Sequence, residues 1–226
     1  MEHTKKRVAS HDLGYYSVGK MKVVVGESAM AKSGSIIYNK ISTDKIIFTQ
    51  TRDETNGSLL EFENYHQTHG IGPVPHRHPL QEETFLVRHG TLAITVNGKE
   101  TIVTAGEQIV VPANALHHWR NTGNDELHMQ TTFRPALHFE EIIETIACLS
   151  QVGKMDQQGN PDPIQMSATL NAYYGEFFLG TMPMGVQQLL FGFFGAILRR
   201  VFKFKSHLQF ADLKLPEREE LVKPQT

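Results

Sequence analysis

The sequence predicts a mainly β sandwich or barrel followed by C-terminal α-helices, and three observations predict it. From Lys45 to Arg134 apolar residues recur with a period of about two in a series of short runs. Turn signals, among them Asn56-Gly57 and Asn97-Gly98, separate those runs. After Arg134-Pro135 the apolar period lengthens to about 3.6, the helical value. Many short antiparallel strands at such spacing fold into a double sheet or a closed barrel.

Residues 1–40 form an N-terminal extension with scattered Gly, Ser and Lys around one β-prone run, Met21 to Val25. This lead-in either wraps the barrel or is partly disordered. The barrel is assigned to residues 41–137. Its strands are read in KIIFTQ, SLLEFENY, TFLVRH, TLAITVN, ETIVT, EQIVV and ELHMQTTFR, and Asn97-Gly98 makes Thr91 to Thr104 the clearest hairpin. The interior of such a barrel is expected to be small.

Residues 138–226 form a helical extension. A first helix begins near Leu137, with Phe139, Ile142, Ile143, Ile146 and Ala147 as its apolar stripe. Glu140, Glu141 and Glu144 fall on its polar side, near the N-terminus where the helix dipole favours them. Gly153 to Pro163 reads as a loop, Ile164 to Phe178 as a second helix, and Val186 to Phe204 as a third, after the Pro183-Met184-Gly185 break. The tail, PEREELVKPQT, is expected to fray.

The third helix carries LLFGFFGAIL followed by RRVFKFK. Gln187, Gln188 and Arg199 interrupt it too often for a membrane span of about 20 apolar residues. A helix apolar around most of its circumference is expected to bury itself, against the barrel or against a second subunit. A homodimer is therefore expected. The weaker alternative is contact of the 186–204 helix with a membrane surface, through Arg199, Arg200, Lys203 and Lys205 beside Phe202 and Phe204.

The 226 residues are enough for a sizeable core, and 40% hydrophobic with 20% charged residues is ordinary for a globular chain. A formal charge of −2 gives no reason to expect nucleic acid as a partner. Cys148 is the sole cysteine, so no intrachain disulfide forms and a reducing compartment is the simpler expectation. The opening MEHTKKRVASHDLGYY lacks the apolar centre of a signal peptide, so a cytoplasmic location is expected.

The chemistry concentrates between Gly70 and Asn121. One cluster reads Gly70, five residues, His76, Arg77, His78, four residues, Glu83, six residues, Gly90. A second reads Gly106, five residues, Pro112, Ala113, Asn114, two residues, His117, three residues, Asn121. Side chains two apart on a strand share a face, so His76 and His78 project inward together and Arg77 faces away. Imidazole nitrogens with one carboxylate oxygen suit iron(II), manganese, nickel, copper or zinc. Eight of the twelve histidines lie between His66 and His128, and those outside the two clusters carry no assigned role.

This double pattern resembles the cupin superfamily, with motifs G(x)5HxH(x)3,4E(x)6G and G(x)5PxG(x)2H(x)3N, over roughly residues 40 to 137. Asn114 stands where the family usually has Gly, and asparagine tolerates the left-handed backbone that such a turn needs. The resemblance implies a double-stranded β-helix, or jelly-roll, barrel. It also implies one divalent transition metal held by His76, His78, Glu83 and His117. Glu83 fits better than Glu82, because it lies seven residues before Gly90 and Glu82 would face the other way. The extension from Pro135 to Met166 resembles that of one group of single-domain cupins.

Three histidines and a carboxylate leave positions open for a small molecule, as catalytic metal sites do. If the inward parity of Glu83 continues, Phe85 and Val87 line the cavity, and Trp119 joins them if the segment after His117 is extended. Gln81, Glu82 and Arg120 should point outward. A mostly apolar cavity favours a small apolar or aromatic ligand. The resemblance extends to quercetinase-like dioxygenases, so a dioxygenase-like metal enzyme is expected, with isomerase or lyase chemistry in the same class. A metal- or ligand-binding cupin without turnover is the alternative.

Overall fold

A computed structural model describes strand segments 14–18 and 21–25, residues 31–68, Gly70 and residues 72–209. The tail PEREELVKPQT and His69 lie outside the described residues. Near the N-terminus, β1 (Gly14–Val18) and β2 (Met21–Val25) form an antiparallel hairpin, and β2 is the β-prone run of the lead-in.

Short strands with alternating burial build two antiparallel sheets. Along the chain they are β3 (Ile36–Tyr38), β4 (Lys45–Gln50), β5 (Leu60–His66), β6 (His76–Arg77), β7 (Glu82–His89) and β8 (Thr91–Val96). There follow β9 (Lys99–Thr104), β10 (Gln108–Val111), β11 (His117–Asn121), β12 (Leu127–Arg134) and, beyond two helices, β13 (Phe178–Leu179). One sheet has the order β10-β7-β12-β5-β4-β3 and the other β13-β6-β11-β8-β9. Together they make the jelly roll expected from the sequence. The β8–β9 hairpin pairs Thr91 with Thr104 and Val96 with Lys99, and its turn residues Asn97 and Gly98 both take positive φ.

Inward parity follows the sequence alternation. In β5, Leu60, Phe62, Asn64 and His66 are buried in turn, and their neighbours are half-buried. Two apolar clusters result. One, around Phe85, Leu92, Ile94, Trp119 and Leu127, lies within the barrel. The other joins Phe48, Leu60, Phe62 and Phe133 to Phe139, Ile142, Leu149, Met166 and Leu170, so the extension and the barrel share one core.

The helices are α1 (Phe139–Gln151), α2 (Pro163–Ala172) and α3 (Met184–Arg200). Three expectations need correction. The second helix stops at Ala172 rather than running to Phe178, because the chain turns through Gly175 at positive φ and then adds β13 to the sheet edge at β6. The third helix ends at Arg200, short of Phe204. The acidic residues of α1 are not on a solvated face: Glu140, Glu141 and Glu144 are all buried. The Glu140 carboxylate accepts from the Arg52 backbone N–H at 2.9 Å, Glu141 pairs with the Arg52 guanidinium at 2.8 Å, and Glu144 meets His207 at 2.8 Å. A periodicity count places these residues away from the barrel but cannot foresee that loop and C-terminal residues cover that side.

One side of α3 packs on α2, where a Cβ at Gly195 would lie 2.2 Å from the Ser167 carbonyl and 2.5 Å from Asn171. Its other side is open: Leu189 is 71% exposed, Phe193 61% and Phe194 53%. The expectation of a wholly buried helix therefore fails within a single chain. Among the described residues no helix is long and apolar enough to cross a membrane.

Burial pushes the Glu140 carboxyl up from 4.5 to about 7, with the Arg52 N–H only partly offsetting it and Glu141 adding repulsion. Between those values the folded chain keeps a proton that the unfolded chain releases, so this group lowers stability as pH rises through that window. The fall in Tm between pH 5 and pH 8 should be smaller in Glu140→Gln than in wild type by a few degrees, measured by calorimetry, at about 2–4 °C per kcal/mol. Identical pH profiles would show that Glu140 titrates normally.

Candidate metal centre

Strand pairing assembles the site. His117 on β11 pairs directly with His76 on β6, and β13 pairs with β6 on its other side through Leu179 and His76. Glu83 opens the inward row of β7, opposite Val111 of β10 and Phe133 of β12. The Asn114 N–H donates to the His78 carbonyl at 2.8 Å, which ties the turn of the second cluster to the first. Asn114 has φ 65, the left-handed conformation in which the family pattern has Gly. At Gly90, with φ +85, a Cβ would come within 2.9 Å of the Glu126 carbonyl, so the glycine closing the first cluster permits a close backbone approach.

His76, His78, Glu83 and His117 are all buried, and one potential ligand atom from each lies within 4.8 Å of the others. His117 Nε2 is 2.8 Å and His78 Nε2 3.8 Å from Glu83 Oε2. The Nδ1 atoms of His76 and His117 lie 2.8 Å from the Val74 carbonyl and 3.0 Å from the Ala115 carbonyl. Donation of the Nδ1 protons to those carbonyls turns both Nε2 lone pairs inward, as in metal-ligating histidines. His78 Nδ1 and Nε2, His117 Nε2 and Glu83 Oε2 then have no hydrogen-bond partner although fully buried. Electron-rich atoms gathered around one point require a positive charge between them, and the donor set fits a first-row divalent metal.

Burial, reinforced by the neighbouring His117, holds His76 down at about 3. Burial and the two other histidines hold His78 well below its ordinary value. At His117 burial opposes the charged form, but hydrogen bonding and attraction to Glu83 outweigh it and raise the pKa. Two imidazoles are thus neutral donors without further cost.

Aromatic rings enclose the histidines. Phe177 stacks on His76 at 5.2 Å between ring centroids, and Phe139 meets the His78 ring edge-on at 4.7 Å. Phe133 approaches His78 at 5.1 Å. Two of these three rings belong to the extension, and sequence reasoning missed them because their position depends on how the helices fold back. The site opens into a cavity of about 770 Å³, which continues from the barrel to the 153–163 loop. The small interior expected from the sequence concerned the barrel alone, and the extension adds to the space that the strands enclose.

Phe85 and Trp119 are on the cavity wall, whereas Val87 is buried in the apolar cluster of the barrel and does not reach the wall. Gln81, expected to point outward, is 1% exposed and donates to the carbonyls of Pro135 and Ala136 at 3.0 and 2.7 Å. It precedes β7, so strand parity does not govern it. Glu82 and Arg120 are exposed, as expected.

Tyr65 to Phe133, the stretch spanning β5 to β12, matches the family described as Cupin domain. No curated relative matches the chain. Among solved structures, a predicted oxalate decarboxylase of Thermotoga maritima is 17% identical, covering 45% of this chain and 90% of that one, with a TM-score of 0.41. An RmlC-like cupin of Shewanella frigidimarina is 19% identical over 50% of this chain and 93% of that one, TM-score 0.39. KdgF of Halomonas sp. is 17% identical over 41% and 78%, TM-score 0.36. At these identities no activity passes from those proteins to this one.

The left-handed Asn114 gives a direct test of the second cupin motif. Asn114→Gly should leave stability unchanged or slightly raised. Asn114→Val should cost about 1–3 kcal/mol, since a β-branched residue is strained there. Thermal melts of both variants check this, and an equal Tm for Val and Gly would remove the left-handed turn.

Proposed function

We propose that His76, His78, Glu83 and His117 hold one divalent transition metal, iron, manganese, nickel, copper or zinc, and that the protein is a mononuclear-metal enzyme of dioxygenase type acting on a small, mostly apolar or aromatic molecule. The observation that carries this reading is the set of buried, unpartnered Nε2 and Oε2 atoms facing one another at the edge of a largely apolar cavity. When bound, such a metal supplies a Lewis-acid centre with positions open to dioxygen or to a chelating substrate.

The remaining roles belong to the chain. Val74 and Ala115 carbonyls fix the imidazole orientations, and Phe139 and Phe177 keep water from the histidines. Phe85 and Trp119 offer flat apolar surface to the substrate. Among the described cavity-lining residues, ionisable groups beyond the metal set are Asp44, Lys154, Asp156 and Asp162, all outside the strands. That scarcity favours metal-centred oxidation over isomerase or lyase chemistry, which needs a placed acid or base. It equally suits a cupin that binds metal and ligand without turnover.

His78→Ala and His117→Ala should each lower metal affinity by about 100-fold or more, beyond the usual cost of losing an outer partner of a ligand. Both barrels should stay folded, because the core is supplied by the strand Val, Ile, Leu and Phe residues. Elemental analysis and melting curves of both variants provide the check, and full occupancy in both would locate the metal elsewhere. Metal content of native-source protein, followed by oxygen-electrode assays with hydroxylated aromatic compounds, separates the enzyme from the binding protein. Ligand binding without oxygen uptake on the native metal supports the non-catalytic reading.

A cytoplasmic homodimer with no nucleic-acid partner completes the proposal. The open side of α3, with Leu189, Phe193 and Phe194, is the surface a second copy would cover. Light scattering should give twice the chain mass for wild type and the monomer mass for Phe193→Glu. Wild-type monomer that sediments with liposomes would instead favour membrane-surface contact.

A further inference from the structure

Across the six-stranded sheet, polar residues interrupt the apolar cavity wall in an ordered way. Glu83 on β7 pairs with Phe133 of β12, and Thr131 stands two residues before Phe133 on that same inward face. Thr131 in turn pairs with Phe62 of β5, and Asn64 stands two residues beyond Phe62. Glu83, Thr131 and Asn64 therefore lie on three adjacent strands, each one inward row further along, and form a diagonal across the sheet. Their row neighbours are Phe85, Phe133, Phe62 and Met129, all buried and apolar.

All three residues line the cavity. Thr131 is 1% and Asn64 5% exposed, and both Thr131 Oγ1 and Asn64 Oδ1 are buried without a hydrogen-bond partner. A buried, unpaired polar atom carries a desolvation penalty, and side chains of similar shape without that atom, valine and leucine, would avoid it. Two such atoms along one line from the metal ligands constitute a recognition element. At its far end Asp44 is already engaged, accepting from Ser42 Oγ at 2.6 Å and contacting His66 Nδ1 at 2.6 Å, so it closes the row and does not contribute an open acceptor.

We infer that Thr131 and Asn64 are specificity-determining residues that bind a hydroxyl of the ligand at the end remote from His76, His78, Glu83 and His117. This rests on the proposed metal site and names the ligand class within it: an elongated, flat, mostly apolar molecule with chelating oxygens at one end and a hydroxyl at the other. Asn64 Oδ1 accepts the hydroxyl proton, and Thr131 Oγ1 donates its own proton to the hydroxyl oxygen. Diagonal cross-strand neighbours are about 7–8 Å apart, so a hydroxyl held between Thr131 and Asn64 lies roughly 11 Å from Glu83 along the row, within reach of a two-ring molecule whose chelating oxygens meet a metal in front of Glu83.

The test uses two probes that share a chelating end, 3-hydroxy-2-naphthoate and 3,7-dihydroxy-2-naphthoate, the second carrying the remote hydroxyl. Binding of each to full-length zinc-loaded protein and to chelator-stripped protein is measured by calorimetry, with zinc content determined in parallel. In wild type the dihydroxy probe should bind about tenfold more tightly, a ratio equivalent to one hydrogen bond to a buried acceptor. Asn64→Leu and Thr131→Val should each bring that ratio toward one while zinc content and affinity for the monohydroxy probe hold. Both variants should melt at or above the wild-type temperature, because each removes an unpaired buried atom. A ratio near one in wild type, a ratio unchanged in both variants, no binding of either probe at millimolar concentration, or a large loss of Tm would each overturn the assignment. The metal reading fails separately: it falls if stripping zinc leaves both affinities unchanged, whatever the ratio between the probes.

Discussion

The rest of the structure depends on one contact that needs a positive charge, the 2.8 Å approach of His117 Nε2 to Glu83 Oε2 inside the barrel. With its Nδ1 proton given to the Ala115 carbonyl, His117 presents a lone pair to a carboxylate oxygen, and the two repel unless a proton or a cation lies between them. His78 adds a further unpartnered nitrogen 3.8 Å from the same oxygen. Strand pairing places the two residues side by side, His117 beside His76 and Glu83 between Val111 and Phe133. A rigid frame that forces donors together favours a cation over separate hydrogen bonds, and this ties the jelly roll to its chemistry.

The helical extension is part of the same device. Phe139 and Phe177 press on the imidazoles, and the removal of water they bring about is what keeps His76 and His78 neutral. Gln81 fixes the start of the extension by bonding Pro135 and Ala136, and it lies two residues from Glu83. Glu176 accepts from the His138 backbone N–H at 2.8 Å, which joins the segment carrying Phe177 to the start of α1. The buried Glu140 and Glu141 beside Arg52 are the cost of seating that helix: its polar side is pressed against the β4–β5 loop, where the Arg52 backbone N–H serves Glu140 and its guanidinium serves Glu141.

Local rules read well from the sequence wherever one residue's partners were near in the chain or obeyed strand parity. The hairpin around Asn97-Gly98, the inward pair His76 and His78, the choice of Glu83 and the left-handed Asn114 all belong to this kind. The failures share a different cause. Gln81 lies just outside its strand, so parity does not apply, and Val87 has the right parity but sits behind the wall of a cavity that bends toward the extension. Phe139 was legible as an apolar helix position but not as a cover for His78, and Phe177 looked like the end of a helix. Contacts between segments separated by sixty or a hundred residues depend on the fold-back angle of the helices, which periodicity does not encode.

Burial acts in two opposite senses on the cavity. It strips protons from His76 and His78 and so prepares lone pairs, yet it makes every unpaired polar atom on the wall expensive. In a domain whose net stability is about 5–15 kcal/mol, a handful of such atoms consumes a substantial share of it. Thr131 Oγ1 and Asn64 Oδ1 stand among phenylalanines where an apolar residue would pack at no such cost. The strain is released only when something polar enters, and the free energy recovered adds to the affinity of whatever enters. A ligand that satisfies the metal end alone leaves that energy unrecovered, so discrimination among apolar chelators follows from the same burial that assembles the histidines.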